Sequence, residues 1–187
     1  MRTKRIRISA GAILLFALMY FFDGSGVVSA VVPAAVIHEL GHLLALRLCG
    51  RRLTTISISL TGVRMDYAPQ IGGLRAVLCF LSGPLAGILY AFAASTLCGA
   101  FGRMSGAASF LLSVFNLLPI LPLDGGRIVA ELLPERQTRR ISRIASLLLL
   151  AGGTAVFARF SSFALLCMGA WLAACNLRTG GASERSI

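Results

Sequence analysis

VVSAVVPAAVIHELGHLLALRL, residues 27–48, is the stretch that decides how this chain is read. It is apolar over the length of a membrane crossing, yet its middle holds His38, Glu39 and His42, and these two histidines are the only ones in the chain. On a helix the i and i+4 positions share a face, so both imidazoles can reach one metal ion while Glu39 lies close enough to act as a base. An acidic or basic side chain within a span costs about 2.5–3.5 kcal/mol on insertion scales, and residues kept at that cost usually face a cavity and have a function. Three ionisable groups within five positions therefore read as a metal site rather than as a His–Glu pair holding helices together.

The rest of the chain agrees with a membrane setting. It is 57% hydrophobic and 13% charged, against about a quarter charged in a soluble domain. A crossing helix needs roughly 20 apolar residues. Beside residues 27–48, the runs Ala76–Phe101 and Met104–Leu123 meet that length. Ile8–Phe22 is shorter, and Val28-Ser29-Ala30 after it resembles a signal-peptidase site; cleavage there would cut the histidine helix, so we read residues 8–22 as a retained N-terminal anchor. Ile144–Leu177 reads as a C-terminal helical hairpin turning near Arg159-Phe160-Ser161-Ser162. The expectation is an all-α polytopic membrane protein of about six transmembrane helices. It forms a single domain over residues 1–187 with its core in 27–127.

A net charge of +11 would suggest nucleic acid in a soluble protein, but here the basic residues report topology. Lys4 and Arg2, Arg5 and Arg7 precede the first span. Arg47, Arg51, Arg52, Arg64 and Arg75 surround the connection between the second and third. Arg127, Arg136, Arg139, Arg140 and Arg143 follow the fourth, and Arg178 and Arg185 close the chain. With both termini cytoplasmic, only Arg103 and Arg159 fall outside, which predicts a multi-pass protein of a bacterial cytoplasmic membrane. No soluble module interleaves aromatic with basic residues, so no nucleic-acid partner is expected. Cys49, Cys79, Cys98, Cys167 and Cys175 are odd in number and scattered, and read as small apolar packers.

Between the second and third spans, Ile56, Ile58 and Leu60 alternate with Ser57, Ser59 and Thr61, and the alternation resumes at Val63, Met65 and Tyr67 after Gly62. Period two predicts a small membrane-associated β-hairpin. Thr55, Ile56, Ser57, Ile58, Ser59 and Leu60 are the candidate substrate-binding strand, an edge that would pair with an unwound substrate segment and replace its lost helix bonds. A hairpin that merely covers the protein is the alternative.

Two histidines leave a catalytic zinc short of the usual three protein ligands. Of the acids, Asp23 lies at the far end of the span, while Asp66, Glu131, Glu135 and Glu184 lie in or beside the cytoplasmic connections. Asp124 is the strongest candidate. It ends Asn116-Leu117-Leu118-Pro119-Ile120-Leu121-Pro122-Leu123-Asp124-Gly125-Gly126-Arg127, where two prolines break the helix and two glycines allow a turn. Alone, Asp124 would read as a turn or N-cap residue of a helix over Gly125–Leu133; the need for a third ligand favours the metal.

HELGH on one span followed by N-x-x-P-x-x-P-L-D-G-G-R resembles the site-2 protease family of intramembrane zinc metalloproteases, and Ser82-Gly83-Pro84-Leu85-Ala86-Gly87 is similar to its glycine-proline motif. The resemblance covers about Val27–Arg127. It implies that His38, His42 and Asp124 hold one zinc ion, that Glu39 is the catalytic base, and that Asn116 positions or polarises the scissile peptide. The layout looks most like the sporulation branch, whose members process a membrane-associated pro-sigma factor. It differs from that branch in showing no CBS-domain pattern, and from others in showing no PDZ pattern. The implied partners are a transmembrane or membrane-associated substrate such as a pro-sigma or anti-sigma factor, the lipid bilayer, and an inhibitory membrane protein.

The reaction so implied is regulated intramembrane hydrolysis of a peptide bond near the cytoplasmic face. Zinc lowers the pKa of water and polarises the carbonyl, Glu39 moves the proton, and the Asn116 amide is a candidate oxyanion donor. The competing readings are an inert membrane scaffold or substrate-binding pseudoprotease, which a replaced Glu39 would have favoured, and a metal transporter, which would need several sites along a path. Gly83, Pro84 and Gly87 read as close-packing residues, and Arg127 as a mark of the cytoplasmic interface.

Overall fold

The computed structural model describes residues 5–8, 23, 26–59, 62–68, 72–97, 99–161 and 163–178. In chain order these form β1 (Arg5–Ile8), α1 (Val27–Leu48), β2 (Arg52–Ser59), β3 (Gly62–Ala68), α2 (Gly73–Leu97), α3 (Gly99–Asn116), α4 (Asp124–Leu132), α5 (Glu135–Phe160) and α6 (Phe163–Arg178). The chain divides into two compact units, Met1–Val114 and Phe115–Ile187. Apart from Ile8, which ends β1, the anchor expected over residues 8–22 lies outside the described residues, as do Leu60 and Cys98.

In the first unit α1 begins where Asp23 offers both carboxylate oxygens to the opening amides, accepting from Val27 N at 3.1 Å and from Val28 N at 2.7 Å. The acid set aside as a metal ligand thus holds the start of the histidine helix. Ala30, Ala34, His38 and Gly41 form its buried stripe, at the three- and four-residue spacing of one helix face. Val31, Val36, Leu40, Leu44 and Leu48 lie on the exposed side. α2 and α3 repeat the scheme. Gly83, Gly87, Ala91 and Ala94 are buried on α2, and Gly102, Ser105, Gly106, Ser109 and Ser113 on α3. Leu89, Phe92, Phe110 and Leu111 point outward.

Small residues inside and large apolar ones outside is the pattern of helices that meet lipid, where close backbone approach rather than the hydrophobic effect draws them together. The hydroxyls stitch the backbones: Ser105 Oγ donates to Ala30 O (2.8 Å) and Ser109 Oγ to Gly87 O (2.8 Å), while Tyr90 Oη and Ser105 Oγ are 2.9 Å apart.

The sheet of this unit has the order β1-β2-β3. β2 pairs in parallel with β1 (Arg5 with Thr55 through Ile8 with Ile58) and antiparallel with β3 (Arg52 with Ala68 through Ser59 with Gly62). This corrects the expectation for Thr55, Ile56, Ser57, Ile58 and Ser59: they belong to the central strand. The period-two pattern identifies a strand but not its neighbours, and the four residues of β1, the last of them the first of the expected anchor, occupy the edge reserved for substrate.

In the second unit a turn over residues 117–123, including a cis Leu121–Pro122 bond, separates α3 from α4. The run Met104–Leu123 is therefore not one span: its helix stops at Asn116, because Pro119 and Pro122 cannot supply ladder amides. The arginine-rich stretch expected as a polar connection is helical instead, with Arg136, Arg139, Arg140 and Arg143 in the opening turns of α5 and Arg139 paired to Glu135 one turn away. Helix periodicity there is carried by polar residues that a hydropathy reading assigns to a loop. α5 and α6 pack closely at glycines, Gly153 against the Leu165–Leu166 backbone and Gly169 against Leu150. Among the described residues three helices are long and apolar enough to cross a bilayer, α1, α2 and α5, and residues 163–177 form a shorter apolar helix.

Candidate metal centre

His38 and His42 come together on the inner side of α1. Their Nε2 atoms are 3.3 Å apart and their rings stand nearly perpendicular, at 82°. His38 is 4% exposed and His42 half-buried. The orientation of His42 is set from α2, where Cys79 O lies 2.8 Å from Nδ1 and accepts its proton. That bond fixes the tautomer and leaves the Nε2 lone pair directed toward His38. Ser82 Oγ donates to the same carbonyl at 2.7 Å, so Cys79 O is itself held.

The donor set fits zinc. Two imidazole nitrogens bound to one tetrahedral zinc at about 2.0–2.1 Å stand roughly 3.3 Å apart, the edge of the coordination tetrahedron. The Nε2 separation matches that edge.

Glycines bring the helices near enough for this. A Cβ on Gly41 would overlap Ser82 O and the Ala86 side chain, and a Cβ on Gly83 would overlap the His42 ring at Nε2, Cε1 and Cδ2. The glycine inside HELGH and the glycine before Pro84 are two halves of one contact. Read from sequence as packing, Gly83 is a packing residue whose partner is the candidate ligand. Gly83→Ala is expected to lower zinc retention about 10–100-fold, the range for residues that orient metal ligands, with a smaller effect on thermal unfolding. Titration with a chelator followed by metal analysis measures it.

Glu39 is half-buried one position beyond His38. In the second unit Asn116 ends α3 and is half-buried. Asp124 is 7% exposed in the first turn of α4. The N-cap position is Leu123, with no side-chain cap, so Asp124 stands inside the first turn rather than at the cap. Gly125 and Gly126 admit the turn 117–123 against α4: a Cβ on the first would overlap Leu117 O, and on the second the Ile120–Leu121 peptide.

Comparison with known proteins finds sequences and a solved structure similar to this helical fold and its histidine pair. Residues 80–159 match the model of Peptidase family M50. Two Mycobacterium tuberculosis proteins, of strains H37Rv and Erdman, both called "Putative zinc metalloprotease Rip3", are 27% identical over 189 residues, covering 84% of this chain and 44% of theirs. The chain thus spans less than half the length of these relatives. The solved Site-2 Protease from Methanocaldococcus jannaschii shares the fold, with a TM-score of 0.66 at 18% identity, covering 100% of this chain and 95% of that one. With its HELGH and N-x-x-P-x-x-P-L-D-G-G-R segments, the chain is thus similar to Peptidase family M50 over residues 80–159 and shares the fold of the solved site-2 protease. Zinc is the cofactor that this donor set calls for.

Proposed function

We propose that the chain is an intramembrane zinc metalloendopeptidase, hydrolysing a peptide bond of a membrane-embedded or membrane-associated protein near the cytoplasmic face. The observation that carries the reading is the His38–His42 pair, set at a zinc edge by the Cys79 carbonyl on a helix whose outer face is Val and Leu. Asp124 supplies the third ligand, its donor type suiting one metal ion together with the two imidazoles. Zinc supplies Lewis acidity toward water and the substrate carbonyl.

The chain's own groups do the rest. Glu39 accepts a proton from the attacking water and returns it to the departing amine. The Asn116 side-chain amide donates to the carbonyl oxygen as charge develops there. Substrate backbone adds to an outer strand of the sheet, since β2 is bonded on both sides. The arginine distribution supports cytoplasmic termini and a site in the cytoplasmic half of α1, which gives water and metal a short path from that side. The layout's likeness to the sporulation branch makes a membrane-associated pro-sigma or anti-sigma factor the first substrate class to try, with an inhibitory membrane protein as regulator.

The test uses the protein in proteoliposomes with single-span reporter peptides. Cleavage is expected to disappear on treatment with a zinc chelator and to return with stoichiometric zinc. Cleavage that persists in the chelator would sink the proposal.

A further inference from the structure

Two buried polar residues far along the chain, Ser142 on α5 and Asn176 on α6, converge on the backbone of one residue, Leu121. Ser142 is 1% exposed and Asn176 6%. Ser142 Oγ accepts from Leu121 N at 2.7 Å and donates to Asn176 Oδ1 at 2.6 Å. Asn176 Nδ2 donates to Leu121 O at 2.7 Å and to Leu172 O at 2.8 Å. The Asn176 carbonyl accepts from Arg143 Nε at 3.2 Å. Every bond in this set has a fixed direction, so the Asn176 amide has one orientation only.

The residue so gripped lies between Pro119 and Pro122, three positions before Asp124. Other amides of the turn are met locally, Leu118 N by Phe115 O, Ile120 N by Leu118 O and Leu123 N by Ile120 O. The amide and the carbonyl of Leu121 are met by side chains of α5 and α6. Irregular backbone at membrane depth persists only where protein supplies such partners, and a buried amide left unmatched is destabilising. Two polar side chains matched to the amide and the carbonyl of one residue are a device for fixing a backbone position.

We infer that Ser142 and Asn176 are positioning residues of the metal centre: they clamp Leu121 so that the turn delivers Asp124, and Asn116 at its other end, at a fixed place. The inference rests on the zinc reading above. It concerns residues that neither HELGH nor the aspartate segment contains.

The test uses the whole chain in detergent micelles with the variants Ser142→Ala, Ser142→Thr and Asn176→Asp. Asn176→Asp keeps size and the acceptor but turns a carboxylate toward the two carbonyls. Three quantities are measured: zinc retention against a chelator, hydrogen exchange of the zinc-free protein resolved to residues 115–127, and thermal unfolding. Ser142→Ala and Asn176→Asp are expected to weaken zinc retention about 10–100-fold and to speed exchange within the turn, while exchange in α5 and α6 stays slow. Ser142→Thr, which keeps the hydroxyl, restores both. Unchanged retention with unfolding lowered and exchange raised along both helices would overturn the inference, leaving a helix-packing role. His42→Ala separates the two readings. Zinc kept in that variant refutes the metal site itself, whereas zinc lost there but held as in wild type by the Ser142 and Asn176 variants refutes the clamp alone.

Discussion

Glu39→Gln is expected to leave zinc bound and to lower peptide-bond cleavage about 10²–10⁴-fold, the range that a positioned general base contributes. The amide occupies the same space and can still hydrogen-bond water, but it cannot take the proton that hydroxide formation releases. Because Glu39 lies between the two histidines on a helix whose packing is carried by Ala30, Ala34 and Gly41, the substitution leaves the α1–α2 contact intact. The measurement is reporter-peptide cleavage in proteoliposomes beside zinc content of the same preparation. Cleavage at the wild-type rate by a zinc-loaded Glu39→Gln protein would return the scaffold or transport readings to first place, since neither needs a base.

The second large effect is on the metal. His38→Ala and His42→Ala are each expected to reduce bound zinc from about one per chain to a small fraction, because a single imidazole and a carboxylate fall short of the three protein ligands of a catalytic zinc site. Asp124→Asn is expected to weaken zinc less, since the amide oxygen remains a neutral donor in the same place, while cleavage falls with the metal. Metal analysis after gel filtration, with far-ultraviolet circular dichroism to confirm helicity, gives the answer. His42→Ala has a second consequence: it empties the space that Gly83 leaves and removes the bond to Cys79 O. The double variant His42→Ala with Gly83→Ala should therefore be as helical as His42→Ala alone, which a steric role for Gly83 requires.

The membrane-helix character and the metal pair were legible because each rests on local pattern. Residues 27–48 combine apolar length with i, i+4 histidines, and a helix carries both facts without help from the rest of the fold. What lay beyond reach is non-local. No spacing rule connects Cys79 to His42, 37 residues apart, through a backbone carbonyl that any residue type provides. Ser142 and Asn176 reach the backbone of Leu121, 21 and 55 residues away, and singly each resembles an ordinary polar residue in a helix. The pairing of β1 with β2 was hidden for another reason. Its four residues stand in a basic stretch that reads as topology signal, and parallel pairing leaves no turn signature between partners. The helix through Arg136–Arg143 was missed because hydropathy was asked to mark helix ends, when it marks only their apolar lengths.

In the first unit the helices touch through Gly, Ala and Ser and turn their Leu, Val and Phe outward. Adhesion and solvent preference therefore reside in different residues. Recoding the outer coat with Glu, Lys and Gln would change the solvent the bundle prefers without touching the hydroxyl bonds of Ser105 and Ser109 or the Gly41–Gly83 contact. The histidine pair is thus a candidate for transplantation into water, a medium where its zinc chemistry is open to direct spectroscopy.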